Sequence, residues 1–445
     1  MGPGKTQETG TRRHKNRFHV MLLKSLLVSK RAWVCSTIVI LLLLIYLAFR
    51  FHGVDSRERL LQCYHSDLHR IDSFNHLEIQ QVVFAKVHKA ASSTLQNILF
   101  RFAMARDLAL LLPVEGPAFN QMSSKINRDD IISHPKGEEE FDILGVHVLY
   151  EEKEINKYFP ETAFRVAIIR EPMKQALSAL AYYTVVGSFP DLISGFKNHP
   201  TDPINGFLKH PEDFSGGLKC PSLGSWISNR MSFDLGVGIH HSSTNALTQN
   251  RASFKPFLQR LEQQFDLVLI ADFFDESMVL LRRYLRWSIK DIIYLKVNMM
   301  REDTKTNSVW RKQPNLTSTE RIAFRHCNKL DYSLYDHFLS LFFDKIEKER
   351  FFKEEVETFK NIRERVAAFC AEVSSSKDHR KLFIPRSAWT EQFTVDECDC
   401  LMMETDEITL VEAAKLKQQR LFESFKRRHR FGAPPPVQEA AKPQA

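Results

Sequence analysis

One stretch constrains the fold of this 445-residue chain more than any other: Val82-Val83-Phe84-Ala85-Lys86-Val87-His88-Lys89-Ala90-Ala91-Ser92-Ser93-Thr94, followed by residues 95–104. Residues 82–87 are mostly apolar and rich in β-branched side chains, which predicts a buried strand. Leu95, Ile98, Leu99 and Phe102 then recur at helical spacing. Between strand and helix lies a short basic turn rich in hydroxyls. A helix that begins at Ser92, Ser93 and Thr94 turns its unpaired N–H groups and the positive end of its dipole toward that turn. The result is an anion site in which Lys89 supplies a point charge. It is not a Walker loop, because no G-x-x-x-x-G-K-[ST] precedes the helix and the lysine comes before the hydroxyls. That order argues against nucleotide hydrolysis.

Three further strand-like runs, 141–148, 164–169 and 265–270, alternate with helical ones within residues 80–371. This is the pattern of an α/β domain whose parallel sheet is wrapped by helices, and roughly 290 residues suffice for one such domain. The run 164–169 leads into Arg170-Glu171-Pro172. Pro172 suits the first turn of a helix, where its missing N–H would be unpaired in any case, and Ser178 then falls in the second turn. An arginine at a strand end and a hydroxyl on the adjoining helix can grip one phosphate, by a fork and a single bond. Segments rich in Gly, Pro and Asn between about 187 and 221 read as long loops lining a cleft. After Ser374 the chain loses strand character. Residues 372–445 then read as a C-terminal extension with one helix, about 408–428, and a disordered tail around Gly432-Ala433-Pro434-Pro435-Pro436.

Of the 62 Lys and Arg residues, eight lie in residues 1–31 against a single acid, Glu8, which leaves the rest of the chain close to neutral despite a formal charge of +8 overall. The basic character is therefore a tail property and does not point to nucleic acid. Residues 32–49 carry no charge and span roughly 27 Å as a helix, near a bilayer core of about 30 Å. The run is longer than a signal-peptide core and offers no small-x-small cleavage site before Arg50, so it reads as an uncleaved signal anchor. With positive charge on its N-terminal side, it predicts a cytosolic tail and a luminal domain, type II topology. Residues 50–79, polar and mixed in charge, read as a stem. Seven cysteines occur; Cys35 lies in the anchor, and Cys63, Cys220, Cys327, Cys370, Cys398 and Cys400 leave 15 pairings open. Cys398-Asp399-Cys400 lacks zinc-site spacing, so no metal is expected. Asn315-Leu316-Thr317 is a glycosylation sequon suited to a luminal loop.

The turn resembles the phosphosulfate-binding loop of sulfotransferases that use PAPS, adenosine 3′-phosphate 5′-phosphosulfate. Within them K-x-H-K-x-A-S-S-T-L-x-N-I-L-F-R-F, from Lys86 to Phe102, is similar to the membrane-bound Golgi galactose-3-O-sulfotransferases. Arg170 and Ser178, eight residues apart, resemble the 3′-phosphate motif of the same enzymes. Residues 274–281, 291–298 and 328–335 also look like that family. The resemblance implies a sulfotransferase fold. It implies PAPS as donor, released as PAP, with Lys89, Ala90, Ala91, Ser92, Ser93 and Thr94 on its 5′-phosphate and Arg170 and Ser178 on its 3′-phosphate. It further implies transfer to a galactose-terminated glycan, lipid- or protein-linked, at the 3-hydroxyl. Ala91 stands where a glycine is commoner in the wider superfamily, from which a turn that avoids positive φ is expected.

Sulfuryl transfer needs an in-line nucleophile, charge stabilisation on the leaving oxygen and a base for the hydroxyl proton. Lys89 is placed to neutralise the leaving group and Lys86 to meet the sulfuryl oxygens. Strand alternation puts Lys86 and His88 on one face. An imidazole titrates near neutral pH, so His88 is the expected base. His147, in an apolar run expected as a neighbouring strand, is the rival, read otherwise as an acceptor contact, an orienting group or a core histidine. Two other functional classes compete. A P-loop kinase would need a Walker lysine and a magnesium carboxylate, neither of which is placed here. A catalytically silent Golgi protein that binds glycan or nucleotide would lose donor contacts, yet all of them are present; binding of PAP separates the classes.

Overall fold

The structure, a computed structural model, describes residues 56–63, 77–186, 190–200, 202–215, 217, 220, 223–238, 251–296, 316–373 and 380–430. The tail 1–31, the apolar run 32–49, Asn315 and the segment beyond Arg430 lie outside the described residues. Among those described, no helix is long and apolar enough to cross a membrane. Compactness divides the chain after Arg59, and the unit from Leu60 onward carries the sheet.

Four parallel strands, β1 (Val82–Ala85), β2 (Ile143–Leu144), β3 (Phe164–Ile169) and β4 (Leu267–Ile270), lie in the order β2-β1-β3-β4. Val82 pairs with Ile143 on one side and Phe164 on the other, and Val166 pairs with Leu267. Every residue of these strands is buried. Strands covered on both faces read as continuous apolar runs, and that is why all four were legible. Three of them are shorter than expected. Beyond Leu144 the chain leaves the sheet, and the His147 carbonyl accepts from Phe119 N–H at 3.0 Å instead of from a strand.

Helix α1 (Ser92–Ala105) follows β1, and α2 (Pro172–Val186) follows β3. Leu95, Ile98, Leu99 and Phe102 of α1 are all within 1% of complete burial. Phe102 stacks on Trp287 at 3.6 Å, and the indole N–H donates to Ile79 O at 2.9 Å. Both helices begin at the C-terminal ends of their strands, where parallel α/β sheets form their ligand crevice.

Residues 187–221, expected as long loops, are instead largely helical among the described residues, in Pro190–Asn198, Pro203–Lys209 and the short 3-10 turn Pro211–Phe214. The prolines open these helices rather than break them. At Pro203 the preceding Asp202 caps the helix by accepting from Asn205 N–H. The chain also regains strand character after Ser374, in an antiparallel pair, Leu382–Ile384 with Phe393–Val395. Three residues are too few for alternation to show in sequence.

The unit is wider than residues 80–371. Leu60 and Leu61, expected in the stem, are buried, and Cys63 is bonded to Cys398. The C-terminal helix Glu407–Arg430 lies along α1. Gln418 brackets Leu110, accepting from its N–H at 2.9 Å and donating to its carbonyl at 3.0 Å. Cys220 pairs with Cys327 and Cys370 with Cys400.

The Cys370–Cys400 link closes a separation of 30 residues. Loop-closure entropy puts such a link at roughly 3.6 kcal/mol. Replacing both cysteines by alanine should therefore lower the urea midpoint of unfolding; an unchanged midpoint would show that packing alone holds these elements together.

Candidate active site

β1 ends at Ala85, so the side-chain alternation ends there too, and Lys86 and His88 part company instead of sharing a face. Lys86 turns under the loop and is 1% exposed. Its ammonium donates to Gln96 Oε1 at 2.6 Å and to Glu407 Oε1 at 2.5 Å. Burial lowers its pKa, with Glu407 opposing. Lys86 therefore does not open onto the crevice in this arrangement.

Above it, the turn is built on two left-handed residues, Lys89 with φ 60° and Ala91 with φ 59°. The expectation for Ala91 is thus corrected. A left-handed residue just before the first helical turn lets successive N–H groups converge on one point, and an L-residue there costs roughly 1–2 kcal/mol. Ala90 is fully buried beneath, and Ser92, Ser93 and Thr94 form the first turn of α1. Lys89 Nζ lies 3.8 Å from the centre of the Tyr182 ring. Burial pushes its pKa down to about 8; Glu407 acts against that, while Arg170 and Lys86 add to it.

Arg170, at the end of β3, donates from Nη1 to Lys89 O at 3.3 Å. On α2, Gln175 donates to His88 O at 3.2 Å. Gln175, Ser178 and Tyr182 are spaced three and four apart and share the helix face turned to the loop. Lys89, Ala90, Ala91, Ser92, Ser93, Thr94, Arg170 and Ser178 are thereby gathered at the C-terminal ends of β1 and β3.

The two histidines stack face to face, with centres 3.8 Å apart and planes inclined by 12°. Their partners differ. His88 donates from its backbone N–H to Asp234 Oδ2 at 2.8 Å, and its ring Nδ1 meets the same oxygen at 2.7 Å. An ionised carboxylate only accepts, so the ring proton sits on Nδ1 and Nε2 carries the lone pair; it lies 3.0 Å from the Gln121 side-chain amide, which donates to it with the NH2 turned toward the ring. His147 donates from Nδ1 to the Lys86 carbonyl at 3.1 Å. Burial, followed by the charge of His88, holds its pKa well below the usual imidazole range. One histidine is paired with a carboxylate and the other is kept neutral.

Asp234 is itself positioned with care. Burial alone would raise its pKa, but His88 and Arg230 outweigh that and hold it below the ordinary range. Arg230, fully buried, sets Nε 2.8 Å from Asp234 Oδ1 and lays its guanidinium 3.8 Å over the Trp226 ring. The short helix Arg230–Asp234 is held from below by Asp331, which accepts from Met231 N–H, Ser232 N–H and Ser232 Oγ at 3.2, 2.8 and 2.7 Å. Asn229 adds a bond to Cys327 O at 2.7 Å. Among the described residues no group of three or more His, Cys, Asp or Glu side chains is placed to hold a metal ion.

Asp234, Arg230, Gln175 and Glu407 belong to the site although the sequence did not single them out. Arg230 and Asp234 lie in a short stretch, 229–236, whose spacing does not say which strand end it meets. Gln175 lies one helical turn before Ser178 and could have been found by that periodicity. Glu407 carried no signal, since it comes from 321 residues beyond Lys86.

A charged Lys89 attracts an anion and a neutral one does not. Affinity of the turn for inorganic sulfate, which does not itself titrate near neutral pH, should be full below about pH 8 and fall as pH rises through it. Calorimetric titration across that range checks this, and a flat profile would remove Lys89 from the anion site.

A family profile described as Galactose-3-O-sulfotransferase matches residues 11–386. The chain is 30% identical over 313 residues to "Galactose-3-O-sulfotransferase 2" of Mus musculus, covering 67% of this chain and 72% of that one. It is 28% identical over 267 residues to "Galactose-3-O-sulfotransferase 3" of Homo sapiens, covering 60% and 57%. With "Galactosylceramide sulfotransferase" of Homo sapiens it is 27% identical over 315 residues, covering 67% and 66%. A strand, basic turn and helix of the expected form, set in a parallel α/β sheet and matched over most of its length, mean that this chain belongs to the galactose-3-O-sulfotransferase family.

Proposed function

We propose that this chain transfers a sulfuryl group from PAPS to a hydroxyl of galactose, the 3-hydroxyl, at the end of a glycolipid or glycoprotein glycan. The observation that carries the reading is His88: its ring is fixed by Asp234 through Nδ1, beside a turn built for an anion, with Nε2 left for a proton. The turn Lys89–Thr94 holds the 5′-phosphate, and Arg170 and Ser178 the 3′-phosphate. The acceptor oxygen attacks sulfur as the bond from sulfur to the phosphate oxygen breaks. His88 Nε2 takes the hydroxyl proton, Asp234 balances the imidazolium that results, and Lys89 meets the charge left on PAP.

His147 supports His88 by stacking. Two imidazoles in contact resist being charged together; burial disfavours charge on His147 and Asp234 favours it on His88, so His147 is the one that stays neutral. Its role in this reading is orientation of His88 or of the acceptor. A silent binding protein would have no use for a histidine and carboxylate paired at the donor turn.

The sulfotransferase fold and the membrane setting complete the proposal. Residues 32–49 anchor the chain in the Golgi membrane with its domain in the lumen, in type II topology. The family match extends across that run, and three disulfides suit an oxidising compartment. A tag at the C-terminus should accordingly resist protease in intact microsomes and be cleaved once detergent is added; digestion without detergent would reverse the orientation.

His88→Ala should leave PAP binding nearly intact and lower turnover by about 10² to 10⁴, the usual range for loss of a general base. His147→Ala should cost less. Turnover at saturating donor and acceptor, in variants with normal thermal unfolding, decides between them. Near-normal turnover in His88→Ala with loss in His147→Ala would exchange the two roles.

A further inference from the structure

We propose that Glu407, on the first turn of the C-terminal helix, is a positioning residue of the donor turn, which it completes by holding the Lys86 ammonium and the Ser93 hydroxyl together. The inference rests on the reading that the turn binds the donor's phosphate. It adds a residue from beyond the end of the family match at 386.

The two carboxylate oxygens of Glu407 serve two different elements. Oε1 takes the ammonium of Lys86 at the end of β1, and Oε2 accepts from Ser93 Oγ on the first turn of α1 at 2.6 Å. Lys86 is out of contact with water, and Gln96 offers it only a neutral oxygen. A buried ammonium without an anion is strongly destabilising, so this carboxylate is what allows a charged group to sit under the turn. The lysine in turn draws the Glu407 carboxyl below its ordinary range, against the effect of burial.

The carboxylate is delivered by a fixed backbone. Asn97 of α1 donates to the carbonyls of Met402 and Thr405 at 2.9 and 3.4 Å, immediately before Glu407. The preceding helix, Glu397–Glu404, is tied by Cys398 to Cys63 and by Cys400 to Cys370. Lys417, further along, reaches Asp107 at 2.6 Å.

An anion beside a phosphate site could instead compete with the phosphate. Two facts argue for support. Both carboxylate oxygens are engaged, by Lys86 and by Ser93, and Lys89 faces two cations, Arg170 and Lys86, against the one carboxylate of Glu407. The groups facing Lys89 are Glu407, Arg170, Lys86 and the Tyr182 ring. Glu407 is the one among them that keeps Lys89 protonated; without it, two cations press on Lys89 unopposed and its charge is lost at lower pH.

The test is PAP binding by calorimetry to the chain from Leu60 onward, in the wild type, E407Q and E407D, at several pH values. The wild type should bind PAP and weaken as pH rises through about 8. E407Q, nearly isosteric, should bind roughly tenfold or more weakly at neutral pH, with the weakening beginning at lower pH. E407D keeps the charge but is too short to span both partners; it should recover the wild-type pH midpoint and only part of the affinity. That split between charge and reach is one a purely structural residue would not produce. Wild-type binding with E407Q unchanged or tighter overturns the inference and leaves the donor reading standing. So does an E407D that matches the wild type in affinity, which is the decisive arm should E407Q not fold. A wild type that binds no PAP overturns both.

Discussion

A charge taken out of water must be given a partner, and this one requirement governs how the crevice is put together. Lys86, Lys89, Arg170 and Arg230 converge on the ends of β1 and β3, and all are largely removed from solvent. Partners for two of them come from distant parts of the chain, Glu407 for Lys86 and the Lys89 carbonyl together with Asp272 for Arg170, while Arg230 pairs within its own short helix with Asp234, which reaches across to His88. The Lys86–Glu407, Arg170–Asp272 and Asp234–His88 contacts each pin a separate segment to the strand ends. The site is therefore less a loop on a scaffold than the point where five segments meet because their charges require it.

The same requirement separates the histidines. Stacked at 3.8 Å they would be near-equivalent as side chains, but Asp234 reaches only His88, and His147 faces a carbonyl. Behind Asp234 stands Asp331, whose carboxyl is pushed up to about 6 by burial although three donors bind it. As pH rises through that value Asp331 must ionise in place, so it adds most to stability below the unfolded value near 4 and least above 6. Support for the His88 carboxylate is thus bought with some stability near neutral pH.

Local features of the fold could be read in advance because they are local. β3 lies where its apolar run predicts, α1 and α2 begin where serine and proline said they would, and the anion turn falls between β1 and α1. What could not be read depends on partners far along the chain. Nothing near Lys86 reveals that Glu407 lies on it, and nothing near Asp234 reveals His88. The positive φ at Ala91 escaped for another reason: glycine is the usual signature of that conformation, and here an alanine adopts it, its carbonyl accepting from the N–H groups of Thr94 and Leu95 at 3.2 and 3.4 Å. Short strands at 382–384 and 393–395 escaped because a period of two needs more residues than they have.

The central claim is that this crevice moves a sulfuryl group from PAPS to galactose. Its most direct test is to incubate the chain from Leu60 onward with ³⁵S-labelled PAPS and a panel of lipid- and glycan-linked galactosides, and to locate the sulfate in any product by NMR. Label should appear on the 3-oxygen of a terminal galactose and should depend on His88. Tight PAP binding with no transfer to any galactoside, or transfer that does not require His88, would contradict it.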